Sequence, residues 1–264
     1  CTKMLKGMTA FVLTAVLLLG FAPFISTYAA DENYFQWDSS SENVSYVDRS
    51  TYFGEYEGSF VLYDLGNDAW SIHDKEHATL RVAPNSTYKI YDALFGLEEG
   101  VITPENSFIA WNGESYPFEA WNADQTLQSA MNSSVNWYFQ TVDEQLGSSS
   151  VYNYIQEIGY GNENMNGDFS TYWMESSLKI SPIEQVELLT KLHNNSFEFS
   201  PENINAVKDA ILLSSSDAGT LYGKTGTGRV DGQDVNGWVV GFVETFLLQT
   251  VVQTAMLPEA KQLK

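Results

Sequence analysis

Short apolar runs separated by turn residues occur near the beginning of the folded part of the chain, as they do in strands. Two such runs, Phe60–Tyr63 and Trp70–Ile72, flank the turn signal Gly66–Asp68 and together predict a β-hairpin. The stretch Ala78–Val82 is a candidate third strand, which Pro84 would end.

The middle of the chain carries helical spacing instead. A helix is predicted to start at Ser86 with Asn85 as its cap and to stop at Gly100, since Ile90, Ala93, Leu94 and Leu97 share one face. Ser181-Pro-Ile-Glu184 has the form of a capping box with proline at the first helical position. Further helices are predicted from about Asp124 to Gln145, from that capping box to about His193, and from Pro201 to Leu213.

Strand patterns return at the C-terminal end. One predicted strand runs from Leu221-Tyr222 into Lys224-Thr-Gly226, and a turn near Asp231–Gly232 joins it to a second at Trp238–Val243. Strands at both ends with helices between them predict an α+β domain built on an antiparallel sheet.

The N-terminal residues predict a different environment. Met8–Ala30 is an uncharged, apolar run of 23 residues that is preceded by Lys3 and Lys6. This length spans a bilayer, and the flanking charges place the domain after it outside the cell. A signal peptide starting at Met4 fits the same residues, and either interpretation makes that domain extracytoplasmic. We therefore divide the chain into residues 1–30 (transmembrane helix or signal peptide), 31–52 (acidic linker) and 53–264 (folded domain), and expect a chain that begins with Cys1 to have been cut from a longer one.

The strongly negative net charge of the chain excludes one class of partner. The formal net charge is −21, and it is −23 without residues 1–30, which hold two lysines and no acid. Such a surface repels phosphate backbones, so we exclude nucleic acid as a partner. Cys1 is the only cysteine, which excludes a disulfide within the chain.

Three short motifs carry the candidate chemistry. Ser86 and Lys89 lie one helical turn apart, and a lysine in apolar surroundings has a lowered pKa and can deprotonate a serine. This pair is followed by Ser134-Val-Asn136 and then by Lys224-Thr-Gly226, which is the motif order of penicillin-recognising enzymes. A second Ser-x-x-Lys, Ser176 to Lys179, has no Ser-x-Asn between it and Lys224.

The surroundings of these motifs resemble the extracellular sensor domain of BlaR/MecR β-lactam receptors, a family related to class D (OXA-type) serine β-lactamases. The resemblance covers about Phe60 to Thr245. It is carried by Pro84-Asn-Ser-Thr-Tyr-Lys-Ile-Tyr91, Trp121-Asn-Ala-Asp-Gln125, Ser134-Val-Asn-Trp-Tyr-Phe139, Tyr160-Gly-Asn162, Tyr172-Trp-Met174, Tyr222-Gly-Lys-Thr-Gly-Thr227 and Asn236-Gly-Trp238.

The resemblance implies a penicillin-binding-protein-like fold, with an antiparallel sheet covered by helices on both faces and a preceding transmembrane helix. Ser86 would attack the lactam carbonyl, and Lys89, carbamylated by CO2, would be the base. Trp173 would donate a hydrogen bond to that carbamate, and Ser134 would relay a proton to the leaving nitrogen. No metal is implied.

The remaining implied roles concern ligand binding. Lys224, Thr225 and Thr227 would hold the carboxylate of the antibiotic. The backbone N–H groups of Ser86 and Thr227 would form the oxyanion hole. Residues Tyr160–Asn162 would border the site.

Three functions share this motif set: a receptor that keeps its acyl adduct, a secreted class D β-lactamase that hydrolyses it, and a cell-wall transpeptidase-like binder. Class D enzymes usually have an apolar residue where this chain has Asn136. A side-chain amide there would bind the Lys89 amine and compete with its carbamylation, which favours the long-lived adduct of a receptor.

The receptor family also implies partners. The acylated domain would signal across the cell membrane to a zinc protease region of the same protein, N-terminal to this chain. His73-Asp-Lys-Glu-His77 matches the His-x-x-Glu-His motif of one class of zinc proteases. We reject a zinc site here, because a turn is expected at these residues and the motif needs a helix. After Thr245 the resemblance stops, and we expect a frameshift or truncation that removes a sheet strand and a closing helix.

Overall fold

The computed structural model describes residues 32–40, 42–245 and 249–258. The predicted membrane span or signal peptide at Met8–Ala30 lies outside this range. In the described part of the chain, no helix combines the length and the apolar character that crossing a bilayer requires.

A single sheet of seven strands organises the described residues, in the order β1-β3-β2-β7-β6-β5-β4. All neighbours pair antiparallel except β1, which joins β3 in parallel. The strands are β1 Val44–Tyr46, β2 Phe60–Asp64, β3 Ala69–His73, β4 Leu212–Ser216, β5 Gly219–Val230, β6 Gln233–Glu244 and β7 Gln249–Pro258.

Seven helices of the described chain lie between β3 and β4, so the predicted α+β order is confirmed. They are α1 Lys75–Thr79, α2 Lys89–Glu98, α3 Leu127–Asn132, α4 Asn136–Leu146, α5 Ser148–Ile158, α6 Pro182–His193 and α7 Pro201–Ala210. The two predicted hairpins, β2–β3 and β5–β6, are also confirmed, as is the capping box at Ser181.

The predicted strand at Ala78–Val82 is wrong. Asp74 accepts a hydrogen bond from the backbone N–H of His77 and caps α1, so Ala78 and Thr79 are helical. The chain extends only after this helix, where Val82 forms an isolated bridge with Ile180. A helix is therefore present where we expected a turn, but His73 lies on β3 and only His77 on α1.

The helix that carries the first motif begins differently from the prediction. Asn85 does not cap it; Asn85–Thr87 form one 3-10 turn, in which Asn85 has a φ of +49°, and α2 proper starts at Lys89. The predicted helix from Asp124 to Gln145 is two helices, α3 and α4, with Ser134 in the link between them. Helix α7 ends at Ala210, three residues before the predicted end, because β4 begins at Leu212.

Helix α2 is the centre of the domain. Every residue from Lys89 to Leu97 is buried. Gly96 lets α4 approach closely, because a Cβ added at Gly96 would lie 2.6 Å from Cγ1 of Val142. Ser86, just before α2, is thereby fixed to the most rigid part of the fold.

Strand β6 shows how the sheet meets this core. Trp238, Val240 and Phe242 are buried, whereas Val239 between them is 49% exposed. Helix α6 packs against β2, β6 and β7. A second helical layer on the opposite face stays a prediction.

Both ends of the folded part depart from expectation. Part of the predicted linker belongs to the sheet, since β1 pairs with β3 and the ring of Trp37 lies 5.2 Å from that of Trp70. The sheet strand expected to be missing after Thr245 is present as β7, which pairs with both β2 and β6.

Candidate active site

The turn that holds Ser86 is pressed against strand β5. A Cβ added at Gly226 would lie 3.0 Å from the carbonyl oxygen of Pro84 and 3.3 Å from the backbone nitrogen of Ser86. Glycine at this position therefore lets the Lys-Thr-Gly strand come against the nucleophile turn. The backbone at Ser86 and the strand that carries Thr227 are brought together as the predicted oxyanion hole requires.

Lys89 points from the first turn of α2 back toward Ser86. Its Nζ is 2.8 Å from Oγ of Ser86 and 2.7 Å from Oδ1 of Asn136. The side chain is wholly buried, with Nζ 4.4 Å from the ring centroid of Trp173. Burial, with the charge of Lys224 as a second cause, holds the pKa of Lys89 well below its ordinary value. A neutral amine at this point can accept the proton of Ser86.

The second and third motifs meet at Ser134 and Lys224. The link between α3 and α4 gives Ser134 a φ of +51°, and Nζ of Lys224 donates a short hydrogen bond to its Oγ. Lys224 also donates to the carbonyl oxygen of Thr225 at 3.0 Å. Burial lowers the pKa of Lys224 to about 8. Lys224 and Ser134 can thus pass a proton toward the mouth of the site.

A cavity of about 250 Å³ opens onto Ser86. Its size is close to that of small-ligand pockets. The lining residues are Asn85, Ser86, Asn136, Trp173, Met174, Glu175, Thr227 and Arg229.

The structure therefore brings most of the predicted site residues together. Ser86, Asn136, Trp173 and Thr227 line the cavity, and Lys89 reaches it through its hydrogen bonds to Ser86 and Asn136. Ser134 and Lys224 bond to each other, and the charge of Lys224 acts on Lys89. Thr225 is exposed and does not line the cavity.

Two predicted neighbours lie elsewhere. The ring of Tyr160 packs edge-on against Tyr88, and Asn162 bonds to the carbonyl oxygen of Ser177. The expectation that residues Tyr160–Asn162 border the site is therefore wrong. The second Ser-x-x-Lys, Ser176 to Lys179, lies in irregular chain before α6 and not on a helix.

Residues 174–175 line the cavity and were not predicted as site residues from the sequence. Sδ of Met174 accepts a hydrogen bond of 3.1 Å from Nδ2 of Asn136. Oε1 of Glu175 accepts from Nδ2 of Asn85 at 2.7 Å and from Nδ2 of Asn236 at 2.6 Å. These contacts join three segments that are far apart in sequence: the nucleophile turn, the residues after Trp173, and strand β6. No sequence pattern links the three segments, so the contacts could not be predicted.

Trp173 is the remaining buried polar group of the site. Its Nε1 makes no hydrogen bond of ordinary geometry within the described residues, although Asp143 lies near it, and its ring faces Lys89. A buried indole N–H without an acceptor is costly, and an acceptor placed between Lys89 and Trp173 would remove that cost.

Comparison with known proteins places this site in a family. Residues 39–264 match the model of the penicillin binding protein transpeptidase domain. The chain belongs to the penicillin-binding transpeptidase family. Within that family, it is 43% identical over 252 residues to the regulatory protein BlaR1 of Bacillus licheniformis, covering 92% of this chain and 41% of the relative. The chain thus spans about two fifths of the length of that curated relative.

Solved structures of the family agree. The C-terminal domain of the Bacillus licheniformis BlaR penicillin-receptor superposes with a TM-score of 0.79 at 41% identity, covering 84% of this chain and 90% of the other. A class D β-lactamase from Bacillus subtilis has a TM-score of 0.77 at 34% identity, covering 81% of this chain and 89% of the other. The predicted resemblance to BlaR/MecR sensors is confirmed, and class D β-lactamases are the more distant relatives.

Proposed function

We propose that this chain is the β-lactam receptor domain of a BlaR/MecR-type sensor, acylated at Ser86 by penicillins and slow to release the adduct. The observation that carries the proposal is the position of the Lys89 amine. Its Nζ lies 2.8 Å from the nucleophile and is held at 2.7 Å by the amide oxygen of Asn136. This geometry suits acylation and opposes deacylation.

Acylation uses both lysines. Oγ of Ser86 forms a bond to the lactam carbonyl carbon while its proton passes to the amine of Lys89. The lactam C–N bond breaks, and the nitrogen takes a proton through Ser134 from the ammonium of Lys224, which solvent water resupplies. The product is an ester on Ser86 beside a protonated Lys89.

Deacylation would need a base for the incoming water. Asn136 accepts a hydrogen bond from the Lys89 ammonium, and an amide oxygen stabilises the charged form of a lysine over its neutral form. Lys89 then neither activates water nor reacts with CO2. The ester therefore persists, which is what a receptor requires and a hydrolase avoids.

A carbamate on Lys89 before acylation fits the residues around it. The unpartnered Nε1 of Trp173 and Oγ of Ser86 would hold its oxygens. It would supply an anionic base for the first step.

The second candidate function is hydrolysis of penicillins by a class D β-lactamase. The likeness to the Bacillus subtilis class D enzyme favours it. The two functions differ in the fate of one ester and not in how that ester forms.

The partners follow from the receptor proposal. A sensor of this kind would be anchored in the cell membrane, with this domain outside and a zinc protease region N-terminal to the chain as the recipient of the signal.

The experiment labels the purified chain with a fluorescent penicillin and compares Ser86→Ala with Ser176→Ala. The second variant is a matched control, because Ser176 belongs to the Ser-x-x-Lys that lies outside the site. We expect covalent label on the wild type and on Ser176→Ala and none on Ser86→Ala. Equal labelling of all three proteins, or of none, would overturn the proposal.

A further inference from the structure

A pair of buried carboxyl groups lies behind Lys89 and is not used by the acylation reaction. Asp92 lies on α2, three residues after Lys89, and Asp143 lies on α4. The two side chains are 0% and 1% exposed. Two carboxylates cannot both be ionised in such a place, because each charge raises the cost of the other.

The partners of the two groups show which one keeps the proton. The hydroxyl of Tyr172 is 3.1 Å from Oδ2 of Asp143, and the hydroxyls of Tyr172 and Tyr88 are 2.7 Å apart. Asp92 meets no N–H or O–H donor among the described residues, and its hydrogen-bond partner is the carboxyl of Asp143. A carboxyl without donors is stable only when protonated, so Asp92 donates its proton to Asp143.

The pKa values agree with this assignment. Burial, followed by the charge of Asp143, raises the pKa of Asp92 well above its ordinary value. Burial raises the pKa of Asp143 to about 7. The pair therefore keeps one proton and gains its single negative charge as the pH rises through about 7.

Few other charges act on this pair. Lys89 on α2 is the basic group that acts on Asp92, and the charge of Glu144 on α4 repels a charge on Asp143. The other titratable groups against the pair are neutral phenols: Tyr88 directly before α2, Tyr138 on α4 and Tyr172 before α6. The share of the pair's negative charge that lies on Asp92 raises the pKa of Lys89, whereas the charge of Lys224 lowers it.

We propose that Asp92 and Asp143 are positioning residues whose single shared negative charge stabilises the ammonium that forms on Lys89 when it takes the proton of Ser86. This inference rests on the proposed function. The ester bond forms between Ser86 and the lactam carbon, the proton of Ser86 moves to Lys89, and the pair keeps its proton throughout. A protonated Lys89 does not activate water, so the pair acts together with Asn136 to prolong the adduct.

Two isosteric variants separate charge from packing. In Asp92→Asn, the carboxylate of Asp143 remains and receives hydrogen bonds from Tyr172 and the new amide, so one charge is kept. In the double variant Asp92→Asn/Asp143→Asn, the volume is unchanged and no charge remains. The double variant therefore tests the charge, and Asp92→Asn is its matched control.

The experiment measures the half-life of the benzylpenicillin adduct on each protein by intact mass. In parallel, ¹³C NMR of the same proteins in ¹³C-bicarbonate reports a carbamate on Lys89. For the double variant, we expect a half-life shorter by about tenfold, the effect of one pKa unit at Lys89, and a stronger carbamate signal after acylation. For Asp92→Asn, we expect a half-life within about threefold of the wild type, less than half of that pKa unit.

Equal half-lives and equal carbamate signals in the double variant and Asp92→Asn would overturn the inference and leave the proposed function intact. Absence of any adduct on the wild type would overturn both. If the double variant does not fold, Tyr172→Phe takes its place. Loss of the donor to Asp143 favours the neutral pair and should also shorten the half-life, whereas an unchanged or longer one would count against the inference.

Discussion

Replacement of Asn136 by valine tests the link between site geometry and adduct lifetime. Valine has a similar volume and lacks the amide oxygen that accepts from Nζ of Lys89 at 2.7 Å. A hydrogen bond that involves a charged group contributes roughly 1.5–3 kcal/mol. Its loss affects the ammonium more than the neutral amine, so the pKa of Lys89 falls further. At about 1.4 kcal/mol per factor of ten, the neutral fraction of Lys89 in the acylated protein, where this side chain is protonated, rises about 10- to 150-fold.

The assay follows release of a benzylpenicillin adduct from the chain by intact-protein mass spectrometry. We expect Asn136→Val to release it at least about tenfold faster than the wild type, by the lower limit of that hydrogen-bond energy. The control is Gln140→Leu, which removes an amide one turn further along α4 whose Nε2 donates to the carbonyl oxygen of Ser170. Equal release from Asn136→Val, Gln140→Leu and the wild type would refute the reasoning.

Three further predictions concern charge and packing. Burial lowers the pKa of Lys224 to about 8, so this side chain loses its proton as the pH rises through about 8. The second-order rate constant for acylation, measured by stopped flow, should therefore fall over the same pH range. A rate constant that stays the same to high pH would contradict this. Gly96→Ala places a methyl group 2.6 Å from Val142 and should lower the free energy of unfolding by about 1–3 kcal/mol in urea titrations, so an unchanged midpoint would be inconsistent. Arg81→Met removes the bidentate partner of the buried Glu184 carboxylate and should lower the free energy of unfolding by about 3–5 kcal/mol. Adding Glu184→Gln to this variant should restore part of the loss. An unchanged Tm for Arg81→Met would show that the ion pair does not stabilise the fold.

The fold was predictable where local chemistry and tertiary structure agree. The hairpin at Gly66–Asp68 and the capping box at Ser181 are encoded within a few residues, and both formed as expected. Ala78–Val82 alternates like a strand, but the cap at Asp74 starts a helix ahead of it. Strand β7 was missed because its pairing with β2 joins residues that are far apart in the chain.

The site was predictable from the order of its three motifs, because together they supply the serine nucleophile, the lysine base and the proton donor that acylation needs. The contact between Asn136 and Lys89 was foreseen from the family resemblance, because an amide stands here where class D enzymes usually have an apolar residue. Glu175 and Asp143 were not, since their roles arise from tertiary neighbours: Glu175 from two asparagines in other segments, and Asp143 from Asp92 and Tyr172. No spacing in the sequence marks either residue.

The most direct test of the receptor proposal is a time course of the wild-type chain with excess benzylpenicillin, with the protein mass and the released penicilloate measured together. The proposal predicts one penicilloyl group per chain on Ser86 that lasts for hours, with no penicilloate beyond the background reaction. An adduct that disappears while many equivalents of penicilloate accumulate would contradict it and identify a hydrolase.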